Sequence, residues 1–220
     1  MKLKNYNKLF AEFFGTALLL AVVTGSGIMG VNLSNGNDAI TLLANSIATG
    51  CGLFVLITLL APISSAHFNP VVSFVAWYNK TLSTENLYKY IIAQLSGAVF
   101  GVWLTHIFFN LPIIQFSTKT RDSLALWVSE LVATLILLSV INIGMKYAKE
   151  QIALLVALTV TAGYWFTSST FFCNPAVTLA RSLTNTFVGI SASSLFCFIS
   201  AQLLAVLIFI FISNSFSKAS

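Results

Sequence analysis

The chain has 220 residues, of which 57% are hydrophobic and only 8% are charged. Because a soluble domain carries about 25% charged residues, this composition excludes a soluble globular protein and predicts an integral membrane protein. The net charge of +5 is scattered among the loops between apolar stretches, which argues against nucleic-acid binding and indicates a membrane topology.

Six apolar stretches are candidates for membrane-spanning helices, and they cover residues 8–31, 39–60, 86–109, 122–145, 151–166 and 191–212. The fifth is shorter than the roughly 20 residues that a span needs. The first follows lysines, as in a signal peptide, but it contains Glu12 and no evident cleavage site, so we interpret it as a retained span. Since little sequence remains outside the six stretches, we expect one domain over residues 1–220.

The basic residues divide unequally between the two predicted membrane faces. Eight of the eleven lie on one face: Lys2, Lys4, Lys8, Lys80, Lys89, Lys146, Lys149 and Lys218. Lys119, Arg121 and Arg181 lie on the other. Because cytoplasmic loops carry the excess of lysine and arginine, this distribution predicts that both termini are cytoplasmic.

Two Asn-Pro boxes lie at mirrored positions in the chain. They are Asn69-Pro70-Val71 and Asn174-Pro175-Ala176, each preceded by a loop rich in small and hydroxyl side chains. Asparagine caps helices and proline favours their first turn, so the boxes predict two half-helices over residues 69–78 and 174–183. Two helix N-termini inside a membrane would direct their positive dipole ends at a passing solute, which predicts a pore or a transport site.

The two halves of the chain repeat further polar residues. Glu12 in the first predicted span corresponds to Glu130 in the fourth, and Gln94 in the third corresponds to Gln202 in the sixth. Each half contains three spans, so the second half must be inserted upside down relative to the first. We therefore predict inverted repeats over about residues 8–110 and 122–214.

Together these motifs resemble the aquaporin, or major intrinsic protein, family over essentially the whole chain. They are Ala-Glu-Phe-x-Gly-Thr from Ala11, Ser-Ala-His-Phe-Asn-Pro-Val-Val from Ser65, Ala-Gln-x-x-Gly-Ala from Ala93, and Asn-Pro-Ala from Asn174. The resemblance implies an all-α membrane protein with six tilted helices and two re-entrant half-helices. It also implies one pore per subunit, a homotetramer in a lipid bilayer, and a bacterial plasma membrane as the location.

Within this family the two box asparagines donate hydrogen bonds into the pore. Glu12 and Glu130 would hold the amides of the re-entrant loops, with a proton relay as the alternative. His67 lies beside the cytoplasmic half of the pore in such proteins, either as a pH-sensitive group or as an anchor for its loop. Cys173 is either reachable from the pore or a small packing residue.

The resemblance also places a selectivity filter at four positions at fixed distances from the boxes. These are Thr49, Phe171, Val177 and Ala162, with Gly163 or Tyr164 as alternatives to Ala162 if the loop carries an insertion or deletion. Water-selective members place an aromatic residue where this chain has Thr49 and an arginine where it has Val177. Such a filter should be wide and apolar and should admit glycerol, urea or uncharged metalloid hydroxides.

Two further expectations concern the second box. The sequence around it is similar to a bacterial subgroup linked to arsenic-resistance gene clusters, which implies arsenite or methylated arsenicals as solutes. Arg181 lies four residues after Val177, and it either keeps a positive charge in the outer vestibule or steadies the half-helix.

Three other functions compete with a passive channel for neutral solutes. A water-selective aquaporin would need a narrower filter, and a coupled secondary transporter would need an ion-binding cluster. A membrane enzyme would need converging catalytic groups, of which the sequence offers none. The cysteines Cys51, Cys173 and Cys197 have no Cys-x-x-Cys spacing, so we expect no metal and no cofactor.

Overall fold

The computed structural model describes residues 5–217, so Lys2, Lys4 and Lys218 lie outside the described residues. Within that range the chain forms eight α-helices: α1 (Asn5–Leu33), α2 (Asp38–Ser64), α3 (Pro70–Tyr78), α4 (Thr84–Phe108), α5 (Leu124–Tyr147), α6 (Ile152–Phe166), α7 (Pro175–Arg181) and α8 (Leu195–Ser217). Short 3₁₀ turns, Lys149–Gln151 and Ala192–Ser194, precede α6 and α8. The predicted six long helices and two half-helices are confirmed.

The helix lengths agree with the predicted spans. Five long helices are apolar and long enough to cross a membrane by length and composition. The exception is α6, which has 15 residues and therefore covers only about 22 Å, less than the roughly 30 Å of a bilayer core. The half-helix α7 ends at Arg181, two residues before its predicted end, because Ser182 and Leu183 continue it as a tighter turn.

Side-chain caps start three of the long helices, α2, α4 and α5. Asn37 accepts hydrogen bonds from the backbone of Ala39 and Ile40 at the start of α2, at 3.1 and 3.2 Å. Ser83 and Ser123 cap α4 and α5 in the same way. These bonds satisfy N–H groups that have no partner inside the helix.

Helix contacts repeat between the two halves. In the first half α1 packs on α2 and α4, and in the second half α5 packs on α6 and α8. Each half-helix contacts the long helix that follows it in its own half and also the corresponding helix of the other half. The two halves meet where α2 packs on α6 and where α3 contacts α7. The half-helices are thus enclosed by long helices of both halves.

The close crossing of α1 and α4 depends on two glycines of α4. A Cβ atom added to Gly97 would lie 2.3 Å from the carbonyl oxygen of Phe13, and one added to Gly101 would lie 2.1 Å from that of Ala17. Both distances are far below van der Waals contact, so only glycine permits this approach of α1 and α4. The crossing brings Glu12 of α1 next to Gln94 of α4.

Candidate functional site

Each box asparagine caps its half-helix. Asn69 accepts a hydrogen bond from the backbone N–H of Val71 at 3.0 Å. Asn174 accepts from Ala176 at 2.9 Å and from Val177 at 3.3 Å. In both helices proline occupies the first position, where no backbone N–H is needed. Both half-helices therefore begin at the boxes, as their Asn-Pro pairs predict.

The same two asparagines link the re-entrant loops to each other. Asn69 Nδ2 donates to the carbonyl of Cys173 at 2.8 Å, and Asn174 Nδ2 donates to the carbonyl of Phe68 at 2.8 Å. Each acceptor immediately precedes the opposite asparagine, so the two bonds are reciprocal. A carboxamide carries two N–H groups, which leaves one on each asparagine to bind a solute.

The two loops share an unusual backbone conformation. Three non-glycine residues in each loop have positive φ, and they occupy the same positions relative to the box asparagine. They are Ser65, Ala66 and Phe68 before Asn69, and Thr170, Phe171 and Cys173 before Asn174. Left-handed backbone costs about 1–2 kcal/mol at such residues, so it persists only where surrounding contacts impose it.

In the first loop these contacts converge on Glu12, which is completely buried. One carboxylate oxygen accepts from the Ser64 hydroxyl at 2.6 Å and from the His67 backbone at 3.0 Å. The other accepts from the Phe68 backbone and from Gln94 Nε2, both at 2.8 Å. Two of these bonds hold the loop backbone, at His67 and Phe68, and the other two tie the carboxylate to the end of α2 and to α4. This arrangement supports the proposal that Glu12 holds the loop.

Glu130 takes the equivalent place under the second loop. It accepts from the Cys173 backbone and, at 2.7 Å, from Gln202 Nε2. Both glutamines make one more bond to a hydroxyl four residues after a box asparagine, Gln94 to Ser73 and Gln202 to Thr178, each at 2.9 Å. These hydroxyls were not predicted from the sequence, although their equal offset from the two asparagines was a usable signal.

Replacing Glu12 with glutamine should destabilise the first loop. The carboxamide nitrogen would face two of the four donors that the carboxylate now satisfies, and an unsatisfied buried donor costs about 1–3 kcal/mol. We expect a loss of about 2–3 kcal/mol, which lowers the melting temperature by about 5–10 °C in a chain of this size. The matched control is Glu85→Gln, which removes a carboxylate at an exposed ion pair with Lys89 on α4 and should change little. Equal melting temperatures for the two variants would contradict this role of Glu12.

A cavity of about 760 Å³ runs past both asparagines. At one end, called here the open end, its lining residues are exposed: Asn79, Thr81, Asn142, Lys149 and Glu150. At the other, called here the buried end, none is more than 6% exposed: Thr49, Tyr164, Phe171, Val177 and Arg181. Between the ends the wall is mostly apolar and includes Leu19, Val23, Leu53, Leu137 and Val156.

Three of the four predicted filter residues, Thr49, Phe171 and Val177, lie together at the buried end. Ala162, the first choice for the fourth position, does not, because it is exposed on the outer surface of α6. The helical phase of α6 directs Tyr164 into the cavity instead, and the Tyr164 hydroxyl lies 3.2 Å from the Thr49 hydroxyl. The alternative position Tyr164 therefore replaces Ala162 at the site.

Gly163 explains how an aromatic side chain from the loop fits against α6. A Cβ atom at this position would lie 2.3 Å from the ring of Phe171, which fills the space that a side chain would need. Phe171 thus packs directly on the helix backbone and lines the cavity beside Tyr164.

Arg181 lies one helical turn beyond Val177 on the same face of α7 and also lines the cavity. Its Nε donates to the carbonyl of Val188, and its guanidinium lies 3.5 Å from the centre of the Phe172 ring. Arg121 reaches the same ring at 5.4 Å and bonds Ser169 and Thr170 of the second loop. The contacts of Arg121 and Phe172 were not predicted from the sequence, since no motif connects these positions.

The histidines and Cys173 occupy different environments. His67 lines the cavity and its Nδ1 lies 3.0 Å from the Ser73 hydroxyl. Cys173 lines the cavity and is 1% exposed. His106 is fully buried away from the cavity lining, where its two ring nitrogens lie 2.8 Å from the Ile113 carbonyl and the Thr184 hydroxyl.

Comparisons with known proteins agree with this architecture. The family model described as "Major intrinsic protein" matches residues 1–163. The chain is 49% identical to the aquaglyceroporin AqpS of Rhizobium meliloti (strain 1021) over 194 residues, which make up 88% of this chain and 83% of that protein. It is 33% identical to the glycerol uptake facilitator protein of Pseudomonas aeruginosa over 127 residues, 55% of this chain and 44% of that protein. The solved structure of the aquaglyceroporin from Plasmodium falciparum has the same fold, with a TM-score of 0.73 at 19% identity over 94% of this chain and 95% of that chain.

Proposed function

The chain belongs to the major intrinsic protein family, and we propose that it conducts water and small neutral solutes of the glycerol class passively across a membrane. The observation that carries the proposal is the composition of the buried end. Val177 and Phe171 offer apolar contacts, whereas the paired hydroxyls of Thr49 and Tyr164 offer hydrogen bonds. A polyol presents C–H groups on one side and hydroxyls on the other, so such a lining accommodates both.

Passive conduction fits the contacts better than coupled transport. A coupled transporter binds an ion at groups that can change partners between its two states. In this chain Glu12 and Glu130, the two fully buried carboxylates of the described residues, are hydrogen-bonded to the re-entrant loops. The loops in turn bond each other through the asparagines. Because the loops that line the cavity are held in place, a solute can pass between them without one half of the protein moving against the other.

The direct test is stopped-flow light scattering on proteoliposomes. Vesicles are shocked with sucrose, glycerol or urea, with and without imposed proton and sodium gradients. We expect water efflux in sucrose and fast entry of glycerol and urea, independent of either gradient. Glycerol entry that needs a gradient would contradict a passive channel. Fast water flow with both solutes excluded would instead identify a water-selective pore.

We extend the proposal to arsenite and methylated arsenicals. Arsenous acid and trivalent methylated arsenicals are small and uncharged at neutral pH and carry hydroxyl groups, so they present the same hydrogen-bonding chemistry as a polyol to Thr49 and Tyr164. Arsenite uptake into the same proteoliposomes should rise with the amount of protein. Uptake equal to that of protein-free vesicles, with glycerol entry intact, would remove these solutes from the proposal.

Removing the Tyr164 hydroxyl should reduce selectivity for polyols. Tyr164→Phe leaves the ring in place but removes the partner of Thr49 at 3.2 Å. One net hydrogen bond is worth about 0.5–1.5 kcal/mol, so we expect glycerol entry to slow by about two- to tenfold while water flow changes little. The control is Tyr88→Phe, which removes a hydroxyl from the exposed surface of α4. Equal glycerol rates in the two variants would contradict a role for the hydroxyl.

We also propose a homotetramer in a bacterial plasma membrane with both termini cytoplasmic, built from inverted repeats over about residues 8–110 and 122–214. The distribution of Lys8, Lys80 and Lys149 against Lys119 and Arg121 supports this topology. Mass measurement in a native-like nanodisc tests the tetramer. Accessibility of single cysteines at positions 80 and 119 to an impermeant thiol reagent, in a background without the native cysteines, tests the orientation.

A further inference from the structure

The guanidinium of Arg181 places a fixed positive charge in the cavity proposed to conduct neutral solutes. The residue is 3% exposed and lines the cavity at its buried end. Its Nε is bound to the Val188 carbonyl, and one face lies against the Phe172 ring. Its two terminal nitrogens form no hydrogen bond to any other residue of the range 5–217. They are therefore available to a molecule in the cavity.

No carboxylate of the described residues forms an ion pair with this charge. Among residues 5–217 the one ion pair is Lys89–Glu85, at the surface of α4. Two cations interact electrostatically with Arg181: Arg121, which shares the Phe172 ring, and Lys119, whose Nζ donates to the Phe187 carbonyl. Glu130 also interacts electrostatically with Arg181 but forms no ion pair with it; Glu130 Oε1 accepts from Gln202 and the Cys173 backbone, and Oε2 has no hydrogen-bond partner among the described residues. A buried charge without a paired counterion is costly, so this region favours an anionic ligand over a cation.

The shape of the guanidinium specifies the kind of anion. Its planar fork of N–H groups matches a planar group with two oxygens, as in a carboxylate. The neighbouring hydroxyl pair of Thr49 and Tyr164 retains one proton that can be donated to the same ligand. The cavity wall beside Arg181 also includes the apolar side chains of Val177 and Phe171, which offer no hydrogen-bond donors to a larger, multiply charged oxyanion.

We infer that the buried end binds small monocarboxylates at Arg181, and that a bound carboxylate obstructs the entry of neutral solutes. The site is distinct from the box asparagines. The inference rests on the proposed function, because the obstruction is observed as slower glycerol entry. Binding itself does not depend on that function and can be measured separately.

The experiment compares glycerol entry into proteoliposomes equilibrated on both sides with sodium formate or sodium chloride at the same osmolality and ionic strength. The ratio of the two rates is taken within each variant, so differences in absolute rate cancel. A single charge-assisted contact suggests a dissociation constant on the order of 10 mM, so roughly 50 mM formate should slow the wild-type protein about sixfold. Arg181→Met should give a ratio near one. Arg181→Lys, which keeps the charge but loses the fork, should be only weakly inhibited.

The matched control is Lys119→Gln, which removes a nearby cation that does not line the cavity and should remain inhibited by formate. If it loses inhibition as completely as Arg181→Met, diffuse attraction explains the effect and the specific site is overturned. Formate-insensitive glycerol entry in the wild type overturns the inference and leaves the proposed function standing. If no glycerol enters in chloride, the proposed function fails. Line broadening of ¹³C-formate by the solubilised wild-type protein, but not by Arg181→Met, then decides the inference by itself.

Discussion

Replacing Val177 with tryptophan is expected to abolish glycerol entry without preventing folding. Val177 is 6% exposed and lies on α7 at the buried end, among Thr49, Tyr164 and Phe171. Overpacking a closed core costs about 1–3 kcal/mol, but an indole at this position can extend into the cavity. It would then occupy the path between the apolar wall and the hydroxyl pair. Stopped-flow light scattering should give glycerol and urea rates equal to those of protein-free vesicles.

The control places the same substitution on the outer surface. Val128 on α5 is 47% exposed, so Val128→Trp adds an indole outside the cavity and should conduct glycerol like the wild type. Melting temperatures of both variants should stay within a few degrees of the wild type, which separates obstruction from misfolding. Wild-type glycerol entry through Val177→Trp would mean that another residue forms the constriction. Loss of conduction in both variants would mean that the indole acts through the membrane or the fold.

The sequence predicts the framework of this protein well because the framework depends on local signals. Apolar stretches of about 20 residues can only be spans in a chain with so few charges. Asn69-Pro70 and Asn174-Pro175 combine a capping side chain with a residue that is favoured in the first helical turn. The paired positions of Glu12 and Glu130 follow from the repeat, and in the structure each accepts hydrogen bonds from its own loop.

The fourth filter position could not be fixed in this way. Whether Ala162 or Tyr164 enters the cavity depends on the rotation of α6, and a difference of two residues turns a side chain by about 200° around a helix. That rotation is set by contacts distant in sequence: Phe171 lies against Gly163, and the Tyr164 hydroxyl meets Thr49. Counting residues from Asn174 back through an irregular loop carries no information about either contact.

The reciprocal bonds between the loops lie beyond sequence reasoning for a related reason. The two asparagines are evident as a pair, but their acceptors are the backbone carbonyls of Phe68 and Cys173. Those carbonyls point at the opposite box because Phe68 and Cys173 have positive φ. Neither residue type predicts a positive φ from the sequence. The contacts of Arg121 were equally unpredictable from the sequence, because its loop shows no periodicity. Its guanidinium nevertheless bonds the second loop and lies over the Phe172 ring, as that of Arg181 does.

Exchanging either box asparagine for aspartate should test these reciprocal bonds more severely than exchange for alanine. In Asn69→Asp and Asn174→Asp the new carboxylate retains an oxygen that can cap the half-helix, so the helix start should survive. The lost Nδ2 would be replaced by an oxygen facing the carbonyl of Cys173 or Phe68, acceptor against acceptor, in a buried position.

Leaving a buried charge without its partner costs about 3–5 kcal/mol, and a negative charge at the meeting point of the half-helices should attract cations. We therefore expect Asn69→Asp and Asn174→Asp each to lower the melting temperature, slow glycerol entry at least tenfold and raise potassium leak in a flux assay. The effects of the two exchanges should be similar in size because the two bonds are equivalent, both 2.8 Å long.

Asn110→Asp, the same exchange at an exposed residue after α4, should behave like the wild type. If either box variant conducts glycerol at the wild-type rate with an unchanged melting temperature, its Nδ2 bond does not hold the loops together, and the remaining N–H of that asparagine cannot be the group that orients a solute.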